Sequence, residues 1–328
     1  MRAVLVEGHD APEDCLLANL PTPEPKAGQI LIQAKAMGVN YADLLVVEGR
    51  YQTLPRRPFT PGKEVAGVVA KLGPGVAKFR EGDRVMAQLE YGAWGEMVVS
   101  PSATAWKMPD GMDFATASAM GLSYQTAHFA LIERGQLRAG ETVLVLGASG
   151  AVGLAAVELA RALGGRVLGG VSNMAKAEAV REAGADFVVD LSGPDLRESV
   201  REQVFPESEG RGADVVVDTV GGAAFEGAIR AVAWRGRYVV VGLAGGVIPS
   251  VKANYLLVKN IAATGLQWSD YRDRDPIWVA RVQEELFQLW RQGRIHPKAS
   301  FCVPLANFAD ALALVRDRKA QGRIALIP

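Results

Sequence analysis

The sequence predicts a two-domain α/β protein: a small antiparallel barrel or sandwich, then a parallel sheet built from βαβ units. Three observations predict it. Over the first third of the chain, short β-type runs recur between Gly- and Pro-rich breaks. From Thr142 onward, apolar runs alternate with helical stretches, the mark of a parallel sheet covered by helices on both faces. The length of 328 residues suits two domains of about 100–200 residues each.

Taken in order, the first domain reads as strands at 2–7, 30–36, 64–72, 83–89 and 95–99. They are separated by the turn-forming stretches TPEPKAGQ, GPGVAKFREGD and EYGAWG. Residues 114–134 are Ala-rich, fit one or two helices, and lead through LRAGE into the second domain. There TVLVL, RVLGGV, FVVD, DVVVD and RYVVVG read as buried strands with helices between them, as far as about Gly265. Residues 276–293 form an amphipathic helix, and the tail closes with another helix and an apolar strand at 323–327. A strand left over after a complete α/β unit is expected to return to the first domain. The expected boundaries are therefore 1–122 with 266–328 for a discontinuous first domain, and 123–265 for the second. No repeat or low-complexity segment interrupts this plan.

Composition narrows the function classes. The 36 basic and 36 acidic residues cancel, so no electrostatic footprint for nucleic acid exists. No apolar run reaches the ~18 residues of a membrane span. Acids interrupt the N-terminal stretch MRAVLVEGHDAPEDC early, so neither a signal peptide nor a membrane partner is expected, and a cytoplasmic location is. Cys15 and Cys302 are far apart and read as two free thiols in a reducing compartment. His9, His128 and His296 form no ligand pair, and nothing reads as a metal site.

The sharpest local signal is TVLVLGASGAVGLAAVELARALG. A buried strand runs through Gly147 into Ala148, Ser149, Gly150, Ala151, Val152 and Gly153, and then into an alanine-rich helix. Gly150 lets backbone approach a pyrophosphate, Gly153 lets helix and strand pack closely, and the helix N-terminus offers unpaired N–H groups. The plain alternative is a tight strand–helix turn that needs glycine for geometry alone. The context of a strand before, a helix after and a βαβ series beyond favours a dinucleotide. An NAD site places an acid at the end of the second strand to hold the ribose 2′-hydroxyl. Here RVLGGV is followed by Ser172 and, four residues on, Lys176, with no carboxylate. A hydroxyl and a cation suit a 2′-phosphate, so NADPH is expected over NADH.

Several stretches carry a family resemblance. They are GVNYADLLVVEGRY (38–51), PGKEVAGVVAKLGPGVAKFREGDRV (61–85), YGAWGEMVV (91–99), SYQTAHFALIERGQLRAGETVLVLGASGAVG (123–153), DTVGG (218–222), WRGRYVVVGLAGG (234–246), NYLLVKN (254–260) and DRKAQGRIAL (317–326). In order and nearly end to end, the chain resembles the zinc-free quinone oxidoreductases, zeta-crystallin-like members of the medium-chain dehydrogenase/reductase superfamily. The resemblance implies a GroES-like β-barrel catalytic domain from both ends of the chain and a Rossmann domain, a doubly wound parallel sheet, in the middle. It implies NADPH in the cleft between them, a small quinone or enone as substrate, and a homodimer formed through the Rossmann sheet. Zinc alcohol dehydrogenases carry a Cys where Asn40 stands and a His where Lys63 stands, and their four-cysteine lobe is absent here. With those ligands replaced, a catalytic zinc of about three protein ligands is not expected.

Without a Lewis acid, the feasible chemistry is hydride delivery to an electron-poor acceptor: a quinone, an α,β-unsaturated carbonyl or an enoyl thioester. The resemblance places Asn40, Asp43 and Tyr51 in the active-site segment. Asn40 would orient the nicotinamide or donate to the acceptor carbonyl, and Tyr51 would donate to the developing oxyanion. Asp43 reads as an orienting group and Glu64 as structural. Thr126, Gly242, Leu243 and Asn254 fall in segments that touch the nicotinamide side, and Arg318 matches an Arg that approaches the 2′-phosphate. Leu191 stands where relatives often carry a Tyr beside the adenosine, so adenine contacts are expected to differ. Trp278 and Trp290 read as core or interface anchors, and Trp268 and Tyr271 as a dimer contact or cleft edge. The leading function is an NADPH-dependent reductase of quinones or related conjugated carbonyls. The alternatives are a 2-enoyl thioester reductase and a non-catalytic NADPH-binding protein.

Overall fold

The computed structural model describes residues 1–8 and 11–328, so His9 lies outside the described residues. In chain order come β1 (Arg2–Leu5), β2 (Leu16–Asn19), β3 (Gln29–Val39), α1 (Tyr41–Val47), β4 (Glu64–Leu72), β5 (Arg84–Gln88), β6 (Met97–Pro101), β7 (Ala105–Lys107) and α2 (Phe114–His128). Next are β8 (Thr142–Leu146), α3 (Ala151–Ala162), β9 (Arg166–Val171), α4 (Ala177–Glu182), β10 (Phe187–Asp190), α5 (Leu196–Glu207), β11 (Ala213–Asp218), α6 (Gly222–Ala228), β12 (Val232–Val240), α7 (Ala253–Lys259) and β13 (Ala262–Gly265). The chain ends with α8 (Trp268–Arg274), α9 (Pro276–Arg291), β14 (Ala299–Pro304), α10 (Phe308–Arg316) and β15 (Arg323–Ile327). The chain divides into two compact units: Met1–Leu122 with Ser269–Phe287 and Pro297–Pro328, and Ser123–Trp268 with Gln288–His296.

The first unit is built on a seven-stranded sheet in the order β14-β15-β3-β4-β5-β7, with β6 also paired to β3. Eleven-residue β3 is its spine. It pairs antiparallel with β4, β6 and β15, and register shifts along the β3–β4 pair bend the sheet toward closure. C-terminal β15 thus lies beside β3, with Ile324 opposite Val39. Ile30, Ile32, Val65, Val85, Trp94, Ile324 and Leu326 fill the interior. Strands β2 (LLAN) and β14 (ASFCVP) escaped the sequence reading although both carry apolar residues; they are short, and no residue of either is fully buried. The run expected at 95–99 pairs with β3 only from Met97, because Gly95 bridges Ala3 of β1 instead, with the Val4 N–H bonded to the Trp94 carbonyl and the Glu96 N–H to the Arg2 carbonyl.

The second unit holds a six-stranded sheet in the order β10-β9-β8-β11-β12-β13, parallel throughout. Numbered within the unit, this is the 3-2-1-4-5-6 order of the doubly wound dinucleotide-binding sheet. Every residue of β8 is buried, which is why TVLVL reads as a continuous apolar run. Leu144, Leu146, Val189, Val216, Phe225 and Tyr238 form one core layer. The segment expected as one or two helices is α2 followed by a π-helical turn, Phe129–Arg134. No described helix is long and apolar enough to cross a membrane.

Candidate functional site

Because the strands of the second unit are parallel, the segments that follow them gather at one edge of the sheet. The chain leaves β8 toward β9 on one side and β11 on the other, so the crevice of this fold opens between β8 and β11. The glycine loop sits there. A Cβ at Gly153 would stand 2.1 Å from the carbonyl oxygen of Gly147 and 2.7 Å from the Ala148 Cα, so helix α3 approaches the strand end at a distance only glycine permits. Gly150 is the N-cap of α3, in extended backbone with no side chain capping the helix, which leaves the first-turn N–H groups free of a side-chain acceptor. Ala148 is buried, while Ser149, Ala151 and Val152 are half-buried and Gly150 is exposed.

The loop after β11 closes the crevice from the other side. Asp218 is fully buried and its carboxylate accepts from the N–H groups of Val220 (2.8 Å) and Gly221 (2.9 Å) and from the Tyr238 hydroxyl (2.8 Å). Thr219 donates its hydroxyl to the Leu146 carbonyl at 2.9 Å, tying this loop to the end of β8. The sequence reading used DTVGG only as a resemblance and missed that Asp218 anchors the loop. The signal was a carboxylate ending an otherwise apolar strand. Gly242 continues the cluster, its N–H bonded to the Asp218 carbonyl at 3.1 Å, and the Leu243 side chain packs at Gly221. Burial of Asp218 raises its carboxyl above the usual range, opposed by its three donors.

Ser172 follows β9 directly and is exposed, and no carboxylate stands at that strand end. Asn173 accepts from the Ala175 N–H at 2.9 Å, so a capped turn presents the Ser172–Lys176 segment. Lys176 is half-buried, and desolvation lowers its ammonium. Leu191 is buried against Gly170 rather than exposed as a stacking side chain would be. Thr126 is buried on α2 and Asn254 is exposed on α7. The glycine loop, Gly242 and Leu243 are thus joined through the Asp218 and Thr219 contacts, with Ser172 at the neighbouring strand end.

The first unit holds a second cluster. Asn40 begins α1 and is buried; its side-chain amide donates to Glu64 Oε1 at 2.9 Å, and its backbone N–H donates to Asp43 Oδ2 at 2.8 Å. Glu64 Oε2 accepts from the Leu122 N–H at 2.9 Å. Gly38 makes room for this carboxyl, since a Cβ there would lie 2.3 Å from Glu64 Oε1. Burial pushes Glu64 up to about 7 and Asp43 up to about 6. Gln88, cross-strand from Glu64, is buried with neither amide atom hydrogen-bonded. A notional Cβ at Gly121 would stand 2.7 Å from Gln88 Nε2 and 3.1 Å from Glu64 Oε2, so amide and carboxyl flank one point.

Lys63 is also buried. Its ammonium donates to the Glu90 carboxylate at 2.7 Å and to the Glu90 carbonyl at 3.0 Å, and lies 4.6 Å from the centroid of the Tyr51 ring. Arg272, buried on α8, holds the other Glu90 oxygen at 2.8 Å. The sequence reading treated Lys63 only as a missing ligand; its partners are remote in the chain and left no local signal. The donor set does not fit a catalytic zinc. At the two positions in question stand a carboxamide bonded to Glu64 and an ammonium spent as a donor to Glu90. Among the described residues no group of three or more His, Cys, Asp or Glu could hold a metal ion. Arg318 lies in this unit too, exposed after α10 in left-handed backbone with φ of 55°. Trp278 and Trp290 are half-buried rather than core residues, and Tyr271 meets Trp278 edge to face at 5.6 Å.

Comparison with known proteins finds matches over both parts of the chain. The alcohol dehydrogenase GroES-like domain family matches residues 26–110, and the zinc-binding dehydrogenase family matches residues 151–283. The chain is 36% identical over 306 residues to mouse (Mus musculus) quinone oxidoreductase-like protein 2, covering 93% of this chain and 86% of that one. Among solved structures it is similar to Escherichia coli quinone oxidoreductase complexed with NADPH, with a TM-score of 0.91, 27% identity and full coverage of both chains. A mycobacterial protein complexed with NADPH superposes with a TM-score of 0.94 at 31% identity, again over the whole of both chains.

Proposed function

The chain belongs to the quinone oxidoreductase family of the medium-chain dehydrogenase/reductase superfamily, and from that membership we propose an NADPH-dependent, zinc-independent reductase of quinones or related conjugated carbonyls. One observation carries the zinc-independent part: Lys63, buried and bound to Glu90, occupies the position where a metal-dependent relative needs a ligand. When bound, NADPH supplies the hydride. The glycine loop and the N-terminus of α3 hold its pyrophosphate, and Ser172, Lys176 and Arg318 take the 2′-phosphate. Thr126, Gly242, Leu243 and Asn254 border the nicotinamide half. Asn40, fixed by Glu64, orients the ring or donates to the acceptor carbonyl. Tyr51, beside the Lys63 charge, donates to the oxyanion that develops on the acceptor. The domain boundaries proposed for these roles are 1–122 with 266–328, and 123–265; the compact units depart from them at 266–268 and 288–296, which group with the second unit.

The test is oxidation of NADPH and NADH with benzoquinone, phenanthrenequinone, an alkenal and crotonyl-CoA, for the native protein and Tyr51→Phe. Quinone turnover with NADPH, lowered but not abolished in Tyr51→Phe, supports the reading. Turnover confined to crotonyl-CoA and lost in the variant installs a 2-enoyl thioester reductase. Tight NADPH binding with no turnover of any acceptor installs a binding protein.

We also propose a homodimer through the second unit. Strand β13 is an edge strand, and Val247, Ile248, Leu257 and Val258 expose 64–78% of their surfaces nearby in sequence. Light scattering should give twice the 34.9 kDa chain mass for the native protein and the single mass for Leu257→Asp. A native monomer would end this proposal. We also propose a cytoplasmic location, which two cysteines far apart in the sequence suit and which fractionation of the native cells would check.

A further inference from the structure

The second unit has a cavity that the proposed reaction does not use. It has a volume of about 260 Å³ and is lined by Arg201, Phe205, Arg230, Tyr255 and Lys259. Arg201 and Phe205 sit one turn apart on α5, Tyr255 and Lys259 one turn apart on α7, and Arg230 in the turn before β12. That turn precedes β12 and Lys259 closes the helix before β13. The cavity is therefore at the amino-terminal edge of the parallel sheet, opposite the edge that carries the glycine loop.

Three cations meet there with a single ion-paired carboxylate. Arg230 bonds Glu198 at 2.8 Å, but its Nε is buried with no hydrogen-bond partner. Among the described residues Lys259 is bonded only to the backbone carbonyls of Ile229 and Arg230, which are neutral. The Arg201 guanidinium lies 5.1 Å from the Phe205 ring centroid and forms no ion pair with a described residue. Desolvation, with the Arg201 and Arg230 charges added to it, pulls Lys259 down to about 8. Like charges held together without enough counter-charge are relieved by a bound anion, and charge-assisted bonds from arginine suit phosphate oxygens. The recess is open to solvent, and its volume of about 260 Å³ has room for a phosphate or pyrophosphate group.

We propose that Arg201, Arg230, Lys259 and Tyr255 form a second ligand site, separate from the dinucleotide crevice, for a small phosphate-bearing anion. Tyr255 contributes its hydroxyl as a donor and, with Phe205, an aromatic wall. On the seven-residue helix α7, Tyr255 and Lys259 line the cavity while Leu257 and Val258 are exposed, so the site and the apolar face use different sides of one helix.

The experiment is calorimetric titration of inorganic pyrophosphate into the full-length protein saturated with NADPH, so that the crevice cannot take the probe. One further site per chain is expected. Arg201→Gln and Lys259→Gln should each weaken it at least tenfold, and Glu198→Gln, by removing the competing carboxylate, should strengthen it several-fold. Arg201 is exposed, so its variant should keep the native fold and NADPH oxidation rate. Absence of binding beyond the cofactor site, or binding indifferent to Arg201→Gln, overturns the proposal.

Discussion

Replacing Glu64 with Gln should remove a specific part of the pH dependence of stability. The carboxyl is buried, accepts from Asn40 and from the Leu122 N–H, and titrates at about 7 against an ordinary value of 4.5. Between those values the folded state holds a proton that the unfolded state has lost. Stability is therefore greatest at low pH and falls as pH rises through the folded value. At 1.36 kcal/mol per unit, the full loss is roughly 3 kcal/mol, most of it between pH 5 and pH 8. Asp43, raised from 3.8 to about 6, adds a similar fall in a lower window. Glu64→Gln keeps the shape without the titration, and it sets an NH₂ group against one of two donors, at a cost of about 1 kcal/mol. The variant should be less stable than the native protein at pH 5 and more stable at pH 8. Urea denaturation at half-unit steps from pH 5 to pH 8 reads this directly. The difference between the two curves cancels the groups that do not interact with Glu64 and leaves its own titration with its coupling to Asp43. A constant difference across that range would refute the reasoning.

The glycine loop and the cofactor choice give two further predictions. Gly153→Ala would place a Cβ against the Gly147 carbonyl and the Ala148 backbone, so the loop must shift; stability should fall by about 1–3 kcal/mol, and NADPH affinity, measured by fluorescence titration, should fall more than tenfold. Lys176→Glu sets a negative charge where the 2′-phosphate is expected: kcat/KM for NADPH should drop on the order of tenfold to a hundredfold, with the NADH value little changed. Equal losses for both cofactors would place Lys176 away from that phosphate.

How much the sequence discloses depends on where the physical signal resides. The parallel sheet is legible because β8, β9 and β11 are buried on both faces and so are written as unbroken apolar runs. Edge strand β13, AATG, is half-exposed and carries no such run. Strand β7 is buried but only three residues long, and β2 and β14 carry apolar side chains that stay partly or largely exposed, so none of the three stands out as a core strand. The glycine loop is legible because one contiguous segment must satisfy turn, close approach and helix start together. The Lys63–Glu90–Arg272 chain is not, since its members lie 27 and 182 residues apart and only the fold brings them together. The raised carboxyl of Glu64 is hidden likewise, because its partners Asn40 and Leu122 come from 24 and 58 residues away.

The central claim is hydride transfer without a metal, with Asn40, bonded to Glu64, and Lys63, bonded to Glu90, standing where ligation would otherwise occur. The measurement that tests it most directly is kcat/KM for quinone-dependent NADPH oxidation before and after exhaustive dialysis against a chelator. The account predicts the same value, with no gain when zinc is returned. Activity that vanishes on chelation and is restored by zinc would contradict it.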